Sequence, residues 1–173
     1  MKSDEEILQE RARKISVTRT LDHVSQDDEI TVIEFNLMPE HYAIDEYFVS
    51  EVMLLKELTP IPGVTAFVAG ITNLRGKIIS IVNLKNFLGI TSKGITDLNR
   101  IIVLKNKQME FGILVDSILG TWTIKTSMLS PAPITLQGAE AGYVKGITSE
   151  GLIILDGSNI LSTKTIIINQ KQK

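Results

Sequence analysis

The sequence predicts a mainly β protein, built from two related units of roughly 70 residues that fold against each other as small closed barrels. Three observations carry this reading. First, a strand-like segment occurs twice. Phe67-Val68-Ala69-Gly70-Ile71-Thr72 and Tyr143-Val144-Lys145-Gly146-Ile147-Thr148 agree in aromatic, Val, Gly, Ile and Thr at the same offsets. Second, four of the five prolines fall in two equivalent elements upstream, Pro60-Ile61-Pro62 and Pro131-Ala132-Pro133. Third, short apolar runs alternate with frequent turn residues, the pattern of many short strands in a closed sheet without exposed edges.

Composition sets the bounds. Of 173 residues, 43% are hydrophobic but only 5% aromatic, and the β-branched share suits pleated surfaces. A unit of about 60 residues buries too little surface to be comfortably stable alone, so the halves must support each other. Apolar runs such as Ile101 to Leu104 and Ile166 to Ile168 fall far short of the ~20 residues that span a bilayer. The charged start, Met1 to Lys14, does not read as a secretory signal. The chain has no cysteine, hence no disulfide framework or thiolate metal site, which fits a cytoplasmic protein. A net charge of −2 gives no general attraction to nucleic acid.

Along the chain, residues 1–28 form a separate zone. Ser3-Asp4-Glu5-Glu6 is a capping-box pattern ahead of a short amphipathic helix with Leu8, Ala12 and Ile15 on one face, followed by a polar connector. From Glu29 the period becomes two, with Thr31, Ile33, Phe35 and Leu37 on one face of a strand. Pro39-Glu40 makes a turn and His41 to Ile44 the return strand. Asp45 caps a helical turn carrying Tyr47, Phe48 and Val49. Val52 to Leu58 reads as a strand stopped by Pro60. Val68 to Leu74 and Lys77 to Val82 form a hairpin around Arg75-Gly76, and Asn83 caps a short helix closed by Gly89. Thr91 to Leu98 is the linker between the units. The second unit repeats the plan with strands Arg100 to Leu104, Met109 to Val115, Ile118 to Ile124, Tyr143 to Ile147 and Leu152 to Leu155. The predicted division is thus an extension at 1–28, a β domain at 29–165 and a tail at 166–173. Within the domain, a first barrel lies mainly in 29–90 and a second mainly in 99–165, with strands open to exchange between them.

Catalytic chemistry is not written in this sequence. The two histidines, His23 and His41, have no ligand at metal-binding spacing. Gly70 to Lys77 departs from a phosphate loop in its glycine spacing and has Ile78 where a hydroxyl is needed. Trp122 reads as a packing or barrel-rim residue. Asn73-Leu74-Arg75-Gly76 is different, because this hairpin tip is an addition relative to its own repeat, where Ser149-Glu150-Gly151 stands. Arg is among the residues most often found as interface hot spots, so a partner contact is the favoured reading.

The run from Phe67 to Gly76, followed by Ile81-Val82-Asn83-Leu84, resembles the signature of the CheW-like family of chemotaxis coupling proteins. Tyr42-Ala43-Ile44-Asp45, Val49-Ser50-Glu51-Val52, Gly112-Ile113-Leu114-Val115-Asp116, Pro131-Ala132-Pro133 and Leu152-Ile153-Ile154-Leu155-Asp156 extend the resemblance over nearly all of Glu29 to Leu161. It implies two intertwined five-stranded SH3-like barrels. It also implies a non-catalytic, cofactor-free cytoplasmic adaptor linking the cytoplasmic tip of chemoreceptors to the regulatory domain of the histidine kinase CheA. By that resemblance Arg75, Asn73, Gly70, Gly76, Val49 and Glu51 match positions of partner contact. The chain departs from the family pattern at Ser80, Asn83 and Lys85, where Pro, Asp and Arg are usual. Two further readings fit the chain less well: a CheW-like regulatory or adaptor part of a larger signalling protein, and a small-barrel nucleic-acid binder, disfavoured by the acidic balance and few aromatics.

Overall fold

The computed structural model describes residues 28–133, 139–164 and 166. The helix expected within Met1 to Asp28 and most of the 166–173 tail lie outside the described residues. Ten strands follow in order: β1 (Glu29–Leu37), β2 (Glu40–Asp45), β3 (Val49–Leu54), β4 (Val68–Leu74), β5 (Lys77–Asn83), β6 (Arg100–Lys105), β7 (Glu110–Val115), β8 (Ser117–Lys125), β9 (Val144–Ile147) and β10 (Ile153–Leu155). Two short helices, α1 (Leu84–Leu88) and α2 (Gly157–Ser162), follow β5 and β10.

The largest boundary difference is in β3, expected from Val52 to Leu58. The helical turn capped by Asp45 is only Glu46–Phe48, so Val49 is released to pair with Leu104. At the other end, the chain leaves the strand after Leu54 to reach a bridge at Thr59. Tyr143, expected in a strand, ends a 3-10 turn (Ala139–Tyr143) instead.

The strands form two five-stranded sheets, β8-β1-β2-β10-β9 and β3-β6-β7-β5-β4. The barrels do not follow the 29–90 and 99–165 halves, and the exchange of strands that the sequence left open is what the sheets contain. Each sheet takes the first two strands of one repeat and the last three of the other, an exchange that is reciprocal. The two contributions meet at the parallel pairs β2 with β10 and β7 with β5, and at the antiparallel pairs β1 with β8 and β3 with β6. Each sheet is closed by the segment before its P-x-P element. Thr59 bridges Ile71 of β4, and Ser130 bridges Ile147 of β9, each through two backbone hydrogen bonds of 2.9 Å. We call the β1-containing barrel I and the β6-containing barrel II.

The repeat holds atom by atom. Asn83 N–H donates to Phe67 O and Asp156 N–H to Tyr143 O, both at 2.7 Å. Asn86 Nδ2 donates to Ala66 O and Asn159 Nδ2 to Gly142 O, both at 3.0 Å. Asn83 and Asp156 each cap the helix that follows, satisfying otherwise orphaned N–H groups. These pairs make Asn83 the counterpart of Asp156.

Period two places the core. Ile33, Phe35 and Leu37 of β1 face Ile102, Leu104 and Ile113 across the seam between the barrels, with Leu84, Leu88, Ile160 and Leu161 from the helices. The alternate faces fill the barrels. Barrel II encloses Ile79, Ile81, Ile101, Val103 and Leu114, and barrel I encloses Val32, Ala43 and Ile154. A seam built by both repeats is the means by which two small barrels reach an adequate core.

Candidate functional site

The two barrels differ most at the β4–β5 hairpin. In barrel II, Ile71 and Ser80 pair across eight intervening residues. In barrel I, the equivalent pair Ile147 and Ile153 spans five. The longer hairpin ends in the two-residue turn Arg75-Gly76, with φ of 51° and 85°. Two successive positive φ values are the backbone of a tight hairpin turn matched to strand twist, and Gly76 supplies one at no steric cost. Asn73 Oδ1 accepts the Gly76 N–H at 2.8 Å, so the turn is held by its own side chain.

The turn carries Arg75 into solvent, with 82% of its side chain exposed, yet the guanidinium is not loose. Its Nη2 lies 2.8 Å from Glu51 Oε2 on β3. Val52 and Leu54 stand exposed further along β3, and Ile78 on β5 just past the tip. Sequence reading passed over these three as ordinary strand residues; their partners in the second repeat, once aligned through the β3–β6 and β8–β1 registers, would have marked Val52 and Leu54 as facing outward. The arrangement offers one fixed cation with apolar side chains beside it. It contains no nucleophile or acid–base pair.

Of the six residues read as partner contacts, Arg75, Asn73, Gly76 and Glu51 come together at this tip. Gly70 and Val49 are set apart. Gly70 is buried, and a Cβ built on it would come within 2.4 Å of Thr59 O, so barrel closure accounts for a glycine there. Val49 is half-buried against the seam between the barrels.

A second charged cluster begins at Lys77, the residue after the turn. Lys77 pairs with Glu110, and Lys105 Nζ stands 3.8 Å from the same carboxylate. The Lys77 hydrogen bond, with the positive charge of both lysines and against a smaller cost of burial, holds the Glu110 carboxyl below its ordinary value.

Sequence reading also missed a polar group inside barrel I. Glu34 occupies the inward position that Val103 fills in barrel II. Its Oε2 accepts the Trp122 Nε1–H at 2.6 Å, and its Oε1 lies 3.1 Å from His41 Nδ1. Trp122 is thus a rim residue with a polar anchor. The signal was available as the one acidic residue on the inward face of β1.

Among the described residues, no group of three or more His, Cys, Asp or Glu side chains is arranged to hold a metal ion. No helix among them is long and apolar enough to cross a membrane.

Residues 31–165 match the family model of the CheW-like domain. The chain is 34% identical to the chemotaxis protein CheW of Thermotoga maritima over 133 residues, 77% of this chain and 83% of that one. It is 29% identical to the chemotaxis protein CheW of Treponema pallidum, covering 81% of this chain and 86% of the relative. The crystal structure of the scaffolding protein TtCheW from Thermoanaerobacter tengcongensis superposes with a TM-score of 0.69 at 29% identity, over 80% of this chain and 96% of that one. Repeat, exchanged barrels and family match agree, and the chain belongs to the CheW-like domain family.

Proposed function

We propose that this protein is a non-catalytic adaptor that couples chemoreceptors to the histidine kinase CheA, and that the Arg75 hairpin is its coupling surface. The observation that carries the surface assignment is the difference between the barrels. The same fold closes with a short tip at Ser149-Glu150-Gly151 and with a longer one presenting Arg75. An extension that the fold does not need, ending in an exposed guanidinium steadied by Glu51, suits a contact made outside the molecule. Arg combines charge, a planar donor fork and apolar surface, the properties of interface anchors. Its carboxylate partner holds the side chain ready, which lowers the ordering cost of binding. Membership of the CheW-like family supports the choice of partners, namely the cytoplasmic tip of the receptors and the regulatory domain of the kinase. Recruitment from the cytoplasm to membrane-associated receptor arrays follows from the first of these.

The test is Arg75→Glu in the full chain, with receptor and kinase binding measured by calorimetry beside thermal melts. The charge reversal removes a screened ion pair to Glu51 and costs about 1 kcal/mol of stability, whereas loss of a hot spot costs about 2 kcal/mol or more of binding, roughly thirtyfold in affinity. Glu150→Lys at the short tip serves as the control and retains coupling. Equal binding of both partners by wild type and Arg75→Glu overturns the surface assignment.

A further inference from the structure

Barrel I is not filled as barrel II is. The registers make Glu34, Trp122 and Leu152 the counterparts of Val103, Met53 and Ile79, all of which belong to the apolar interior of barrel II. In barrel I the same positions line an open groove of about 840 Å³. Trp122 stands 55% exposed and Met128 68% exposed along it. The charge of the lining is one-sided, with Glu29, Glu34, Glu40 and Glu150 set against Lys125 and His41. An apolar floor under a ring of carboxylates suits a segment of chain that carries cations beside aliphatic side chains.

This chain contains such a segment. Arg11 to Arg19, Arg-Ala-Arg-Lys-Ile-Ser-Val-Thr-Arg, holds four cations and no carboxylate, together with Ile15 and Val17. Chain and groove are also neighbours by connection, since β1 begins at Glu29, itself part of the groove lining. Nine residues lie between Arg19 and Glu29, a tether that can span up to about 33 Å when extended. A short tether gives an effective concentration in the mM range, so even a contact too weak to form between separate molecules is substantially populated. We propose that the cationic segment Arg11 to Arg19 docks into the open mouth of barrel I of its own chain. The inference is independent of the coupling surface, which lies on barrel II.

Trp122 is the only tryptophan and lines the groove, so it reports directly. The experiment compares acrylamide quenching of Trp122 in the full-length wild type and in the full-length triple variant Arg11→Glu, Arg13→Glu, Lys14→Glu, with circular dichroism confirming that both are folded. Docking at an effective concentration near its dissociation constant shields Trp122 about half the time, so the variant is quenched roughly twofold more strongly than wild type. Raising the salt to about 1 M, where the Debye length is about 3 Å, moves wild type towards the variant. Adding Glu40→Lys and Glu150→Lys to the triple variant restores the shielding, which a merely structural effect of the first three changes would not do. Equal quenching of wild type and triple variant overturns the proposal. Shielding that rises with protein concentration overturns it equally, by assigning the groove to a second copy.

Discussion

Gly70 of β4 passes so close to Thr59 that a Cβ on the glycine would lie 2.4 Å from the Thr59 carbonyl oxygen. This approach is what closes barrel II, because the two backbone hydrogen bonds between Thr59 and Ile71 require the strand at Gly70 to lie flush against the returning chain. Gly70 also has a φ of 151°, which side-chain-bearing residues avoid. Gly70→Ala combines backbone strain with overpacking and lowers stability by about 3 kcal/mol. At the equivalent Gly146 the nearest contacts are 2.9 and 3.0 Å, and Gly146→Ala costs about 1–2 kcal/mol. Urea titrations read both, and the ordering of the two losses is the expected result.

The Arg75–Glu51 pair joins an 82% exposed side chain to one that is 25% exposed. Water screens such a pair, and its coupling energy in a double-mutant cycle of Arg75→Ala and Glu51→Ala is expected at about 0.2–1 kcal/mol. Binding is the more sensitive readout. On the proposed coupling surface, Glu51→Ala is expected to weaken partner affinity, read by calorimetry, less than Arg75→Ala does, because the guanidinium remains and only its positioning is lost.

Glu110 links stability to pH. Its folded-state carboxyl titrates below the ordinary value, chiefly through the Lys77 hydrogen bond. The folded state therefore holds the charged form more tightly than the unfolded chain does. The resulting stabilisation is complete above the ordinary carboxylate range, near pH 4.3, and is lost as pH falls through the lower folded value. Glu110→Gln is expected to lose roughly 0.5–1 kcal/mol at neutral pH, with the loss shrinking on acidification. Thermal melts from pH 7 to pH 3 measure this, and a constant gap between variant and wild type would exclude it.

Reciprocal strand exchange predicts one cooperative unfolding transition in urea in place of two. It also predicts how the chain behaves when cut in the exposed linker at Ser92 to Gly94. Residues 1–92 hold β1 and β2 of one barrel and β3, β4 and β5 of the other, so neither barrel is complete in either piece. Each fragment alone is expected to lack a dispersed β-type NMR spectrum, and the mixed pair to recover it.

Local pattern made most of this fold legible before any coordinates. The period of two in β1 assigned Ile33, Phe35 and Leu37 to one face correctly, because pleating is fixed by the chain itself. Asn83 and Gly89 marked both ends of α1, because helix capping is decided within a few residues. Pairing between distant strands was not legible. That β3 joins β6 and β8 joins β1 depends on which edges are free once the parallel pairs form, a question of the whole topology. The candidate site divides along the same line. The Arg75 turn is local and was read from Asn73 to Gly76, whereas the Glu51 ion pair crosses from one strand to another. Gly70 carried a strong sequence signal as a repeated glycine, and its counterpart Gly146 shows why: each barrel needs a close backbone approach at that point.

The exchange of strands has a consequence for a chain half as long. A polypeptide carrying one repeat would hold two strands of one barrel and three of another and could complete neither. Two such chains, related by a twofold axis, would complete both and share one seam. The present molecule has the form of that homodimer with its subunits joined by the Thr91 to Leu98 linker. Joining makes assembly independent of concentration and removes the requirement that both halves be identical. The longer hairpin at Arg75 and the open interior around Glu34 in the opposite barrel are a pair of asymmetries that a symmetric dimer cannot hold.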